Sequence, residues 1–265
     1  MSFKRNLSPD VYKSRKKIYS NTGNSSSNNS TSTNISPEKN KDNNDSTRDT
    51  KRILEHLHSI FPVEKFEHRL PSIIFKHQLY SISKNKTETD RQLQELRNRD
   101  EIRYFHLGID SDDFDLCIVF TRDYEQHVIK FNKNNQVVDK FLNVVFKECP
   151  DVFVSREALM KFQIGDDEIS QLFKAGVLTA RNLGSWWISI PGAGEFVKCF
   201  LQGRKTLLQI VKKSKYGEIL QNELETRKLP KGAKLGIMYH IHDIVGAELV
   251  NCIYTSSGRL IREKD

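Results

Sequence analysis

From residue 51 onward the apolar positions recur at helical spacing. Ile53, Leu54, Leu57 and Ile60 fall three and four residues apart, and Pro62 ends the run. This pattern predicts a first helix. A second apolar segment, Ile73 to Ile82, follows Pro71, and a third helix is expected from Thr87, with Asp90 three residues on as in a capping box. The stretch TDRQLQELRNRDEIRYFHLG (89–108) then recurs in outline as GDDEISQLFKAGVLTARNLG (165–184). Leu93 matches Ile169, Leu96 matches Leu172, Ile102 matches Leu178, Leu107 matches Leu183 and Gly108 matches Gly184. Each copy reads as a short helix, a break at Asp100 or Gly176, and a strand. A second extended run follows each, Leu116 to Phe120 and Trp186 to Ile190. A weaker third copy has a helical stretch from Leu235 to near Gly246, a strand Leu249 to Tyr254, a turn over 255–258 and a last strand through Ile261.

Three helices followed by strand, turn and strand is the order of a winged helix. The expected fold class is therefore α+β, mainly helical, with three tandem winged-helix domains at 51–130, 131–200 and 201–265 after a tail at 1–50. Residues 18–50 are almost entirely Asn, Ser, Thr and charge, a composition that cannot bury enough apolar surface to offset chain entropy, so a disordered tether is expected. Ahead of it, Lys13, Arg15, Lys16 and Lys17 form a basic cluster of the kind an import receptor binds, against the alternative of a solvated tail.

The stretch GSWWISIPGAG (184–194) raises the question of a phosphate-binding glycine loop. A protein kinase needs a third glycine, a catalytic-loop Asp with its Asn, and a DFG Asp for magnesium. Val197 stands where the third glycine belongs, and His242-Asp243 and Phe114-Asp115 are fragments of such motifs without their context. No catalytic residue and no cofactor are assigned. The stretch reads instead as the second strand of a wing hairpin, with Pro191 to Gly194 as the hinge into the next helix. On such a strand Trp186 and Trp187 point to opposite faces, and covering a domain junction is expected of the outer ring ahead of stacking on a base.

Composition narrows the chemistry further. The 265 residues are 37% hydrophobic, with 15 Phe and 8 Tyr, enough for a core. Cys117, Cys149, Cys199 and Cys252 lie far apart with no CxxC pair, so neither a zinc site nor a disulfide framework is expected, and a reducing, intracellular setting fits. No apolar run has bilayer-spanning length and the N-terminus lacks a signal-peptide core, so a soluble protein without a membrane partner is expected. His240 and His242 sit two apart on a helix, where side chains diverge, so ordinary packing is expected and no metal.

The formal charge is +8, and residues 196–234 carry ten Lys or Arg against three Asp or Glu. Lys198, Lys205 and Lys212 recur every seven residues on one helical stripe, opposite Phe196, Phe200, Leu207 and Val211. Arg204, Lys213 and Lys215 widen the stripe. Arg227, Lys228, Lys231 and Lys234 form a second patch before the last helix. Apart from Lys234, these residues are nominated as a DNA-binding surface. It would hold duplex phosphates with little sequence preference, and RNA is not separated from DNA by this reading.

The segments TDRQLQELRNRDEIR, GVLTARNLGSWWISIPGAGEFVKCFLQGRK, KKSKYGEIL and YHIHDIVGAELVNC, together with the MSFKR start, resemble the serine/threonine kinase 19 family, also called winged-helix repair factor. The similarity runs from about residue 51 to the end, and the Asn/Ser tract at 20–50 departs from it. The resemblance implies three tandem winged helices, a nuclear, chromosome-associated DNA-binding protein, and a role in transcription-coupled nucleotide excision repair. It further implies partners: stalled RNA polymerase II, the Cockayne syndrome A protein and the TFIIH helicase. It also implies that the kinase name is historical. A serine/threonine protein kinase and a winged-helix scaffold binding only proteins stay as alternatives, and a homodimer stays open.

Overall fold

The computed structural model describes residues 42–108 and 116–264. The chain opens with α1 (Asp42–Ile60), a 3-10 turn (Val63–Phe66), β1 (Ile74–Phe75), α2 (Lys76–Tyr80), α3 (Lys86–Asn98), β2 (Ile102–His106) and β3 (Leu116–Phe120). It continues through α4 (Thr121–Phe131), α5 (Gln136–Lys140), a π turn (Phe141–Val145), α6 (Phe146–Glu148), β4 (Phe153–Ser155), α7 (Arg156–Lys161), α8 (Asp166–Lys174), β5 (Leu178–Asn182) and β6 (Ser185–Ile188). It closes with α9 (Ala193–Lys213), a 3-10 turn (Lys215–Gly217), β7 (Glu218–Leu220), α10 (Gln221–Glu225), α11 (Ile237–Gly246), β8 (Val250–Thr255) and β9 (Gly258–Glu263). The strands form three antiparallel sheets, ordered β1-β3-β2, β4-β6-β5 and β7-β9-β8. In each, the first strand leads into two helices and the third lies in the middle.

The repeat seen in the sequence is a repeat of helix ends. Asp100, Gly176 and Glu248 follow α3, α8 and α11, and all three have left-handed backbones, with φ of 56°, 73° and 55°. The next amide in each case reaches back to the helix, Glu101 to Leu96, Val177 to Leu172 and Leu249 to Ile244, at 3.0, 3.1 and 2.9 Å. This is a Schellman-type closure, which turns the chain sharply from helix into strand. Only the middle copy uses glycine, where the left-handed conformation carries no side-chain penalty.

Three sequence expectations shift. The first helix starts at Asp42, inside the expected tail, and Thr50 is buried with its hydroxyl donating to Gln92 of α3. The 1–50 tail boundary therefore falls within a helix whose inner end packs on the fold. Residues 1–41, with Lys13, Arg15, Lys16 and Lys17 and most of the Asn/Ser tract, lie outside the described residues. Second, α3 is capped by Asn85, whose side chain accepts the Glu88 N–H at 3.1 Å, while Asp90 accepts from the Tyr80 hydroxyl at 2.6 Å. Third, α9 runs unbroken through the expected boundary at 200/201. Its N-terminal half gives Phe196 and Phe200 to the large core shared by the first two sheets, and its C-terminal half gives Leu207 and Val211 to the core of the third. One rigid helix thus belongs to two cores.

α11 is nearly all buried, packed on α2 of the first sheet and on α9. The Gln78 amide donates to the Tyr239 carbonyl at 3.0 Å, and the Tyr239 hydroxyl donates to the Ile73 carbonyl at 2.8 Å. Asp243, with no exposed surface, accepts from Arg204 at 2.8 and 2.5 Å and bonds His77 at 2.7 Å. Gly246 lets the two helices meet, because a Cβ there would overlap the His77 carbonyl. Gly246→Ala is expected to cost about 1–3 kcal/mol or more, since neither backbone can retreat. A urea melt checks this, and an unchanged midpoint would mean that the helices do not approach so closely.

Candidate nucleic-acid interface

α9 is the element that presents the basic stripe. Gly192, at φ 81°, turns the chain into it, and Phe196, Phe200, Leu207 and Val211 fix its rotation by facing the cores. Lys198, Lys205, Lys212 and Lys213 are consequently exposed, and Lys215 follows just past the helix end. Lys198 and Lys212 stand roughly 21 Å apart along the axis, at about 1.5 Å per residue. A duplex carries one phosphate charge per about 1.7 Å of its own axis, so a stripe of this length can follow several phosphates.

Not every nominated cation belongs to this surface. Arg204 is turned towards α11: its guanidinium is engaged by Asp243 and lies 4.4 Å from the Phe200 ring centroid, leaving the side chain 16% exposed. It is removed from the DNA-contacting set and holds the junction instead, because it sits one residue, about 100° of helix rotation, from Lys205. Lys212 is exposed but 3.1 Å from Glu263, and Arg227 is 2.5 Å from Glu223. Exposed pairs of this kind are worth little and can open towards a stronger anion. Lys198, Lys205, Lys213, Lys215, Lys228 and Lys231 are exposed and form no ion pair among the described residues.

The second patch lies against the N-terminal half of α9. Lys234 pairs with Glu195 at 2.5 Å, and Gly232 sits so close to Gln202 that a Cβ would meet its amide at 2.6 Å. These contacts lay the loop beside Lys198. Lys228, Lys231 and Lys234 there surround a depression of about 550 Å³ together with Lys65, from the 3-10 turn that precedes β1. Lys65 is not legible in the sequence, because it lies far from the basic island in a region whose charges sum close to zero. No local signal marks it.

The helices that precede the three hairpins, α3, α8 and α11, are poorly suited to reading bases. α8 carries Asp166, Asp167 and Glu168 in its first turn, which would repel phosphates, and α11 is covered by α2. In α3, Thr89 and Gln92 are buried and Lys86 pairs with Glu248. Among the nominated residues, the exposed cations lie on α9, just past its end and in its flanking loop.

Other sequence features resolve into packing. Trp187 stacks on His106 of the first sheet at 4.5 Å, with Arg181 4.6 Å away over the ring, so it covers the junction between the first two sheets. Trp186 packs on the main core. His240 is buried against Gly203 and Phe200, whereas His242 bonds the Ser81 hydroxyl at 2.7 Å, so the two rings face different surroundings. Among the described residues no group of three His, Cys, Asp or Glu side chains could hold a metal ion.

A family model described as inactive serine-threonine protein kinase 19 matches residues 56–263. A mouse protein named winged helix repair factor 1 is 42% identical over 219 residues, covering 81% of this chain and 85% of its own length. Its human namesake is 43% identical over 213 residues, covering 79% and 83%. A fission yeast protein named serine/threonine-protein kinase mug51 is 24% identical over 208 residues, covering 72% and 66%.

The junction beneath the stripe is expected to lose stability in acid. Burial pushes His240 and His242 down to about 4. Burial alone would raise the Asp243 carboxyl, but hydrogen bonds from Arg204 and His77 outweigh it and hold it below its usual range. All three are depressed in the folded state, so the stability they provide is present at neutral pH. The histidine share declines as pH falls from about 6.5 towards 4, and the carboxylate share declines below that. Unfolding free energy is expected to drop by a few kcal/mol between pH 7.5 and 4.5, because each tenfold loss of proton affinity on folding is worth about 1.4 kcal/mol for each histidine. Urea melts at the two pH values read this, and a flat profile would contradict the burial of both rings.

Proposed function

The chain belongs to the inactive serine-threonine protein kinase 19 family, and from that premise we propose that it is a non-catalytic nuclear protein that binds duplex DNA with little sequence preference. In this reading each three-stranded sheet with its helices is a winged helix, and α9 is shared between the second and third. The observation that carries the proposal is the exposed stripe Lys198, Lys205 and Lys213 with Lys215 beyond it, set beside α8, which is acidic in its first turn, and α11, which is covered. Cations without base-reading helices hold phosphates and ignore sequence.

The names of the mouse and human relatives support a role in DNA repair. We extend it, on the family resemblance, to an adaptor in transcription-coupled nucleotide excision repair that meets stalled RNA polymerase II, the Cockayne syndrome A protein and the TFIIH helicase. Entry to the nucleus is assigned to Lys13, Arg15, Lys16 and Lys17.

Two experiments test this. Changing Lys198, Lys205 and Lys213 together to Glu should weaken binding to duplexes of unrelated sequence alike and flatten the slope of log K against log salt by roughly two to three units, at about 0.9 per phosphate contact. A folded variant with the wild-type affinity and slope would leave a solvated face and favour a scaffold that binds only proteins. Deleting residues 1–20 should shift a tagged chain towards the cytoplasm, and unchanged nuclear enrichment would remove the import assignment.

A further inference from the structure

Beside the basic stripe the surface changes character. Between α9 and the start of β8 lies a groove of about 580 Å³ whose lining includes Leu201, Leu208, Val211, Leu249 and Val250. Leu201 and Leu249 are 44% and 37% exposed, although both adjoin fully packed core positions. Lys205, Lys212 and Lys264 stand on its rim, and the rim acid, Glu263, is already matched by Lys212 at 3.1 Å. Arg204 also borders the groove, with its guanidinium committed to Asp243.

We propose that this groove is a docking site for a protein segment that is both acidic and apolar, an amphipathic helix whose large apolar side chains rest on Leu201 and Leu249 and whose carboxylates face Lys205, Lys212 and Lys264. The occupant follows from the chemistry of the walls. Nucleic acid can satisfy the lysines, but its phosphate backbone has nothing to place on exposed leucine side chains. A second copy of the same face would set lysine against lysine, which like-charge repulsion disfavours. A helix laid in a groove uses apolar anchors spaced three and four residues apart and takes its orientation from the charged rim. The volume admits more than one leucine-sized or phenylalanine-sized anchor. Because Lys205 and Lys212 serve both the stripe and the rim, the segment and a duplex compete: an acidic partner lifts this part of the chain off DNA, or DNA displaces the partner.

The test uses the full chain and three fluorescent probes. One is a helical peptide of about 20 residues with Leu and Phe on one face and Asp and Glu on the other. The second has the same charge with every Leu and Phe replaced by Ser. The third is a short DNA duplex. The amphipathic peptide should bind at least about tenfold more tightly than its Ser counterpart, and unlabelled duplex should compete with it. The double variant Leu201→Ser with Leu249→Ser should lose about tenfold for the peptide and leave duplex affinity unchanged. If circular dichroism shows that variant to be misfolded, Leu201→Gln alone, on the exposed face of α9, carries the same expectation with a smaller loss. Equal binding of the two peptides would overturn the proposal by showing attraction through charge alone. A full retention of peptide affinity in the leucine variants would overturn it by placing the peptide elsewhere. A parallel loss of duplex affinity would assign the groove to the DNA surface instead. Loss of duplex binding by the lysine variants of α9, with the leucine effects intact, bears on the DNA reading and not on this one.

Discussion

One buried carboxylate organises the molecule. Asp243 lies on α11 near the end of the chain, yet its partners are Arg204 on α9 and His77 on α2, the latter 166 residues earlier in the sequence. A carboxylate this deeply buried is tolerated only when fully bonded. Removing one partner of such a group typically costs about 3–5 kcal/mol, because the other charge is left uncompensated. The two partners therefore tie the first and third sheets to one point. The surrounding contacts repeat the theme: the Tyr239 hydroxyl on the Ile73 carbonyl, the Gln78 amide on the Tyr239 carbonyl, and Gly246 pressed on the His77 carbonyl.

This closure decides which surfaces are left for partners. α11, the helix that precedes the third hairpin, is spent on the junction, and Arg204 is spent with it. The stripe on α9 is what the closure leaves outside. Its straightness comes from a single helix serving two cores, so Lys198 and Lys213 are held on one rigid rod and not on two modules free to turn. The same rod supplies one wall of the groove beside β8. A cationic ridge and an apolar trough on a shared helix couple the two surfaces, and that coupling is what the proposed competition between DNA and an acidic partner rests on.

Much of this was legible in the sequence. The paired stretches at 89–108 and 165–184 announce the repeat because hydrophobic spacing and a left-handed break recur together. The third copy is faint because α11 is buried on nearly all sides and so lacks the apolar and polar alternation that α3 and α8 show. The buried side of α9 follows from Phe196, Phe200, Leu207 and Val211 at helical spacing. What could not be read is anything set by long-range contact. Arg204 resembles its lysine neighbours until Asp243 is brought against it, and Lys65 has no basic neighbourhood in sequence, only in space. The start of α1 at Asp42 was hidden because that segment is polar, and polarity alone cannot distinguish a helix from a tether.

Native-state amide hydrogen exchange on the full chain and on Asp243→Asn tests the central claim most directly. If the carboxylate joins the elements, amides of α2, α9 and α11 open with one common free energy, and Asp243→Asn lowers that value for all three together. Exchange of α11 at a lower free energy of its own in the unaltered chain, with α2 unaffected by the substitution, would contradict the account and leave the third sheet as an independent module.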